Sequence, residues 1–280
     1  ASTVAEVGPG VTGLSVGDRV AGTGGVTCGA CAACVAGQAD QCASPLGPGF
    51  TAHGAYAQYV IGRAQGVTPI PEGVSMAEAA VAQPVGIARH AVATRANIQP
   101  GETVLIQGCG PIGLSAMLLA KLRGATVFST DIVDYRCARA REMGADGVLN
   151  AHRDDVRAAA LDLTEGRGVD VVIECVGSDQ DETVPEAVAC VKAGGLVVVV
   201  GSFAANRATL PIIDFKFNEK TIAGSQGMPE GYGPVFDRIL SGVLNVKQLI
   251  SHHLPLEQAE HGLLLMDAKD EQVIKVVLEP

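Results

Sequence analysis

The sequence predicts an α/β protein in which a doubly wound parallel sheet follows a smaller, β-rich domain. Three observations carry that expectation. From residue 103 onward, short continuous apolar runs alternate with amphipathic stretches, the pattern of parallel strands covered by helices on both faces. The string Gly108-Cys109-Gly110-Pro111-Ile112-Gly113 follows the first run directly and opens the next amphipathic stretch. Before position 70 the texture differs, with short strand-like segments broken by glycine around a cluster of cysteines.

In chain order, strands are expected at 4–7, 16–20 and 56–60, forming part of a small β-barrel. Pro69, Pro71 and Gly73 mark a break, and 76–82 and 85–96 carry helical patterning up to Pro100 and Gly101. Next come a strand at 103–107, a helix at 111–123, a strand at 126–130 and a helix at 135–143. A short strand near Val148, a helix at 154–163, a strand at 169–174, a helix at 183–191 and a strand at 196–200 complete the alternation. The tail from about Ser225 holds two helical stretches and the alternating strand 273–278, which is expected to pair back into the first domain. The division follows: a β-rich domain at 1–84 with a cysteine lobe at 28–42, an α/β domain at 85–224, and a C-terminal return at 225–280.

Composition narrows the class. A chain of 280 residues, 48% hydrophobic and 18% charged, has ample material for a packed core, which excludes a disordered protein. The net charge of −10, with no lysine or arginine cluster to offset it, excludes a phosphate-backbone partner such as nucleic acid. The longest apolar runs fall far short of a bilayer span and no basic-then-apolar leader is present, so a cytoplasmic protein is expected. Residue 1 is alanine and 1–7 reads as the middle of a strand, so the chain is expected to be a fragment lacking an N-terminal segment.

Cys28, Cys31, Cys34 and Cys42 stand in the spacing Cys-x2-Cys-x2-Cys-x7-Cys. Four thiolates fill a tetrahedral Zn²⁺ and leave no open position for water or substrate, the signature of a structural zinc. The intervening residues carry too little apolar bulk to fold unaided, so a metal would have to order them. Two oxidised pairs or unpaired thiols are the alternatives. Cys109, Cys137, Cys175 and Cys190 lie scattered in apolar segments, the usage of a reducing compartment.

The glycine string predicts a dinucleotide site. Gly108 permits the tight turn, Gly110 lets a pyrophosphate approach the backbone, and Gly113 lets helix and strand pack closely. The helix N-terminus offers free N–H groups to phosphate, and Pro111 suits its first turn. Asp131, at the end of the second strand, suits a ribose 2′-hydroxyl and repels a 2′-phosphate, which favours NAD over NADP; a mere helix-capping role is the alternative. Arg136 covers the adenine or ribose edge, or is a solvated helix charge.

With these motifs in view, the chain resembles the zinc-containing medium-chain dehydrogenase/reductase family, and within it the sorbitol, threonine and secondary-alcohol dehydrogenases. The resemblance covers essentially the whole chain. It rests on Val7-Gly-x-Gly-Val11, Val16-Gly-Asp-Arg-Val20, the four-cysteine lobe, Gly54-Ala-Tyr-Ala-Gln-Tyr59, Pro100-Gly-Glu-Thr-Val-Leu105 leading into the glycine string, and Glu174-Cys-Val-Gly177. It implies a GroES-like catalytic domain, a Rossmann coenzyme domain, hydride exchange between a secondary alcohol or polyol and its ketone with NAD, and a homodimer or homotetramer. It further implies that Ile112, Asp131 and Arg136 contact the cofactor, with Val176, Gly177, Val200, Gly201 and Ser202 near its nicotinamide half and Ser225 and Gln226 close by.

One departure concerns the catalytic zinc of that family, held by a cysteine and a Gly-His-Glu motif that the 280 residues do not contain. A carboxylate used in the sorbitol dehydrogenase branch falls at Gln83, a neutral amide and a weak zinc ligand. His90 and His53 are the nearest replacement candidates, though each alone is an ordinary helix or loop histidine by default. His252 and His253 read as a loop or strand end. A zinc-free quinone-reductase type and a catalytically silent NAD-binding module remain alternatives.

Overall fold

The computed structural model describes residues 1–22, 27–38, 41–45, 47–49, 51–177, 181–202, 204–205, 207–269 and 271–280. β1 (Ser2–Thr3), β2 (Arg19–Gly22) and β3 (Val67–Pro69) form an antiparallel sheet in that order, with Ser2 opposite Val20 and Val20 opposite Pro69. The expected strand at 4–7 does not form. Pairing ends where the Val4 amide donates to Asp18 O at 2.9 Å, and residues 5 and 6 are exposed, so no buried face extends the ladder. Nor do residues 56–60 make a strand: Tyr59 is 78% and Ile61 95% exposed, and no described strand lies alongside to bond them. The segment expected at 16–20 pairs only from Arg19. α1 (Ala32–Val35) is a single turn inside the cysteine lobe.

After the break, a reciprocal cap starts α2 (Met76–Ala80). The Glu78 amide donates to Ser75 Oγ at 3.2 Å and the Ser75 amide to Glu78 Oε2 at 2.9 Å. α3 (Ala82–Arg89) tolerates Pro84 because the amides of a first turn need no intrahelical acceptor. The helix expected to run to Ala96 instead widens into a π-helical turn, His90–Arg95, closed by the Ala96 amide on Ala91 O at 2.8 Å.

The parallel sheet then builds in sequence: β4 (Thr103–Gln107), α4 (Pro111–Leu122), β5 (Thr126–Asp131), α5 (Asp134–Glu142), β6 (Gly147–Asn150), α6 (Val156–Asp162), β7 (Val169–Glu174), α7 (Thr183–Cys190), β8 (Val191–Val199), α8 (Ile212–Phe217) and β9 (Thr221–Gly224). Its order is β6-β5-β4-β7-β8-β9, so chain direction across the sheet reverses between β4 and β7. That reversal opens a crevice at the carboxyl ends of the strands, where ligands of such sheets bind. β8 begins earlier than the 196–200 pattern suggested, because a bulge between the pairs Val169–Val191 and Val171–Leu196 interrupts its register with β7. Alternate residues serve opposite layers: Val104 and Ile106 pack with Leu114 and Met117, while Leu105, Val172 and Val197 pack with Val156 and Val188.

The tail carries α9 (Gly233–Leu240), β10 (His252–Pro255), α10 (Ala259–Ala268) and β11 (Val276–Glu279). β11 does not join β1–β3, as the sequence suggested, but pairs in parallel with β10, so His252 and His253 lie in a strand. The alternating pattern needs only one apolar neighbour, and α10 supplies it locally by laying Gly262 against Val276, Leu254 and Leu278. The tail still touches both parts of the molecule: Tyr232 donates its hydroxyl proton to Gly22 O, and Tyr135 donates to Val273 O at 2.9 Å. Among the described residues, no helix is long and apolar enough to cross a membrane.

Candidate functional site

The glycine string lies at the strand reversal. Gly108 has φ +90, and a Cβ there would press to 3.2 Å on Cys175 O, so both conformation and space demand glycine. A Cβ on Gly113 would lie 1.7 Å from Gly108 O, so the helix packs onto the turn only without a side chain. Gly110 is different. Nothing but Arg136 Nη1, at 4.0 Å, approaches the position of its Cβ, and it precedes Pro111 at the first turn of α4 with no side chain capping the helix. The result is an open cradle of amide donors with a guanidinium on its rim, the arrangement that accepts a pyrophosphate.

Arg136 lies against that cradle. Its Nε is buried without a hydrogen-bond partner, and its guanidinium lies 5.9 Å from the Tyr135 ring centroid. A buried guanidinium donor without a partner, beside amides left free by a glycine turn, is what a bound diphosphate would satisfy, so the residues present fit a dinucleotide. Asp131 is buried at the tip of β5, where its Oδ2 accepts from the Cys109 amide at 2.7 Å and its Oδ1 from the Val133 amide at 2.9 Å. The carboxylate thus braces the glycine turn as well as the start of α5, and each oxygen keeps a lone pair for a ribose hydroxyl.

On the other side of the reversal, Val176 and Gly177 follow β7, and Val200, Gly201 and Ser202 follow β8. The two loops touch: a Cβ on Gly201 would lie 2.0 Å from Val176 O, and the Val200 and Gly201 amides donate to Glu174 O at 2.8 and 3.1 Å. Cys109 and Cys175 flank the crevice with thiols pushed up chiefly by burial, so both stay protonated and inert at neutral pH.

The four cysteines of the lobe gather as their spacing predicts. Their sulfurs all lie within 4.8 Å of one another, and Cys28 Sγ and Cys34 Sγ are 3.9 Å apart. A tetrahedron of thiolates at the usual zinc–sulfur distance sets sulfurs about 3.8 Å apart. None of the eight cysteines is paired in a disulfide in this structure. The Cys28 amide donates to Cys42 Sγ at 3.2 Å and the Cys31 amide to Cys28 Sγ at 3.3 Å, so backbone donors already favour thiolates. Backbone donation from Ala43 pulls Cys31 down to about 6, whereas desolvation pushes Cys34 up to about 11. The donor set fits zinc, and among the described residues it is the cluster with metal-holding geometry.

Gln83 is exposed in the first turn of α3, and His53 is exposed in its loop. His90 does not join them. Its Nδ1 lies 3.0 Å from Glu230 Oε1, which also accepts from Thr94 Oγ1 at 2.7 Å and faces Arg89 Nη1 at 3.5 Å. Sequence reasoning missed this clamp, whose partners are 140 residues apart. It also missed the polar group of Gln107, Thr183, Glu174 and Glu186 beneath the crevice, of which Gln107 and Glu174 are buried. The one local signal was a glutamine and a glutamate ending mostly apolar strands.

Comparison with known proteins gives two family matches. The "Alcohol dehydrogenase GroES-like domain" family matches residues 1–72 and the "Zinc-binding dehydrogenase" family residues 111–240. Sorbitol dehydrogenase of Bacillus subtilis strain 168 is 34% identical over 287 residues, covering 100% of this chain and 79% of that protein. An alcohol dehydrogenase of E. coli CFT073, solved with NADH, superposes with a TM-score of 0.89 at 25% identity, covering 99% of this chain and 81% of its own. A zinc-binding dehydrogenase of Sinorhizobium meliloti 1021, solved with NADP, gives a TM-score of 0.89 at 30% identity, covering 99% and 81%.

Proposed function

Because the chain belongs to the zinc-containing medium-chain dehydrogenase/reductase family, we propose that it exchanges hydride between a secondary alcohol or polyol and its ketone, with NAD preferred to NADP. The observation that carries this reading is the glycine turn at the strand reversal, braced by Asp131 and rimmed by Arg136. When bound, the nicotinamide supplies the hydride-accepting carbon. The chain's own residues do the rest. The α4 N-terminus and Arg136 would hold the diphosphate, with Ile112 on the same first turn. Asp131 would accept hydrogen bonds from the ribose hydroxyls and would repel a 2′-phosphate. Val176, Gly177, Val200, Gly201 and Ser202 would wall the nicotinamide half and exclude water. Gln83, exposed in the first turn of α3, is the proposed candidate for the catalytic side of the cleft.

The zinc proposed for Cys28, Cys31, Cys34 and Cys42 is structural, since four thiolates leave no position for an alcohol. Domain limits at 1–84, 85–224 and 225–280 are part of this proposal; β3 ending at Pro69 and the sheet spanning β4 to β9 support the first two. A homodimer or homotetramer is supported by β9, an edge strand beside the exposed Ile212, Ile213 and Phe217. A cytoplasmic location is supported by eight free cysteines.

Titrating NADH and NADPH against the chain by fluorescence, with secondary alcohols and sorbitol then offered with NAD, tests the reading. NADH is expected to bind at least about tenfold more tightly than NADPH, given the Asp131 carboxylate. Tighter NADPH binding would overturn the cofactor assignment. NADH binding without turnover of any alcohol would favour a binding module.

A further inference from the structure

Beneath the proposed nicotinamide side of the crevice, β4 and β7 both end in polar side chains that are almost wholly buried. Gln107 and Glu174 are register partners on adjacent parallel strands, so their side chains leave the same face, and they are 1% and 0% exposed. Gln107 Nε2 donates to Thr183 O at 3.1 Å and to Glu186 Oε2 at 2.8 Å. A backbone carbonyl can only accept, so the amide cannot be flipped, and Gln107 Oε1 must face the other way. That oxygen is buried and has no donor.

Glu174 has the complementary defect. Its Oε1 accepts from the Val176 amide at 3.0 Å and from Thr183 Oγ1 at 3.2 Å, but its Oε2 is buried with no donor. A Cβ on Gly201 would lie 2.6 Å from that Oε2, so the carboxyl lies between the loop after β7 and the loop after β8. Ionised, it would put a charge on a fully buried carboxyl whose Oε2, like the register-paired Gln107 Oε1, has no hydrogen-bond partner. A single proton removes both faults.

We propose that Glu174 is a positioning residue working as a neutral carboxylic acid: its Oε1 holds the Val176 amide and the Thr183 hydroxyl, and its Oε2–H donates to Gln107 Oε1. This bridge fixes residues 175–177 and 200–202 where they receive the nicotinamide half of the dinucleotide, and it rests on the function proposed above. The surroundings favour the proton. Burial raises the pKa of Glu174 and outweighs hydrogen bonds from Val176, Thr183 and Gly201; Glu186 on α7 is likewise raised, chiefly by its own burial, against the hydrogen bond from Gln107. Among the described residues, no lysine or arginine bonds or pairs with Glu174.

Infrared difference spectroscopy on the full 280-residue chain, combined with NADH titration of the parent, Glu174→Ala and Glu174→Gln, tests the proposal. A protonated carboxyl band is expected in the folded parent at neutral pH and is expected to vanish in Glu174→Gln. Glu174→Ala is expected to weaken NADH binding at least about tenfold, and Glu174→Gln to restore most of that loss, because its amide can accept from Val176 and donate to Gln107. Absence of the band, or a Glu174→Gln as impaired as Glu174→Ala, would overturn the proposal. Should Glu174→Ala fail to fold, the band and the parent-to-Glu174→Gln comparison decide alone. Failure of the parent to bind NADH would overturn the nucleotide reading, and the infrared band would still judge the carboxyl.

Discussion

The cysteine lobe and the glycine turn are both short sequence motifs, yet they keep their shape by opposite means. α1 in the lobe buries no residue, and its four thiols are held together by a few sulfur-directed hydrogen bonds. The turn at 108–113 is embedded between β4, β5 and β7, with Gly108 and Gly113 pressed against backbone and Asp131 buried behind it. The lobe has little packing of its own to hold it, and the turn is held by the sheet around it. Their spacing was equally legible, but the physics behind each is different.

Metal removal offers the sharpest break of this comparison. Structural zinc sites carry apparent binding free energies on the order of 10 kcal/mol, so stripping zinc or making Cys34→Ser is expected to open the lobe to protease. NADH binding should change by less than about threefold, because the turn shares no packing with the lobe. Limited proteolysis and NADH titration before and after a chelator check both halves; loss of NADH binding along with zinc would erase the distinction.

The reverse experiment is Gly113→Ala. With 1.7 Å between its Cβ and Gly108 O, the helix must shift, at a cost of about 3 kcal/mol or more, and NADH binding should disappear. Zinc content, read by metal analysis, should stay at one per chain.

A smaller effect is expected at Asp131. Asp131→Ser removes the anion facing the ribose and should move the NADH to NADPH preference toward NADPH by ~10-fold or more, with a modest fall in melting temperature because the Cys109 and Val133 amides lose their acceptor. A change in melting temperature without a change in preference would leave Asp131 as a brace only.

The clamp of His90, Thr94 and Arg89 on Glu230 gives the smallest effect and lies in neither region. Burial opposes ionisation of Glu230, but hydrogen bonds from His90 and Thr94 outweigh it and hold the carboxyl down at about 2. A depressed carboxylate stabilises the fold above its unfolded value of about 4.3, and that contribution fades as pH falls from there toward 2. Glu230→Gln should therefore cost ~1–2 kcal/mol at pH 7, after discounting for partial exposure, and close to nothing near pH 2. Thermal melts of parent and variant across that range should converge on acidification. A gap that holds constant would mean the clamp does not act by charge.

Much of the fold was legible because its signals are local. The alternation of apolar runs and helices from 103 to 200 gave nearly every element of the parallel sheet, since a strand buried on both faces must be apolar throughout. The edges of the molecule were less legible. Residues 56–60 have the composition of a strand but no described neighbour to bond, and the strand near the C-terminus found its partner in β10.

By itself, the sequence determined the features that depend on spacing along the chain: four thiols close enough for one metal, three glycines at the intervals a turn and a helix need, and the period that sorts strand from helix. The tertiary structure decided which distant groups meet. Gln107 and Glu186 are 79 residues apart, and His90 and Glu230 are 140. No periodicity encodes such pairs, because a buried carboxyl is satisfied by whatever donor the packing brings to it, and packing is settled only when the whole sheet and its helices have closed.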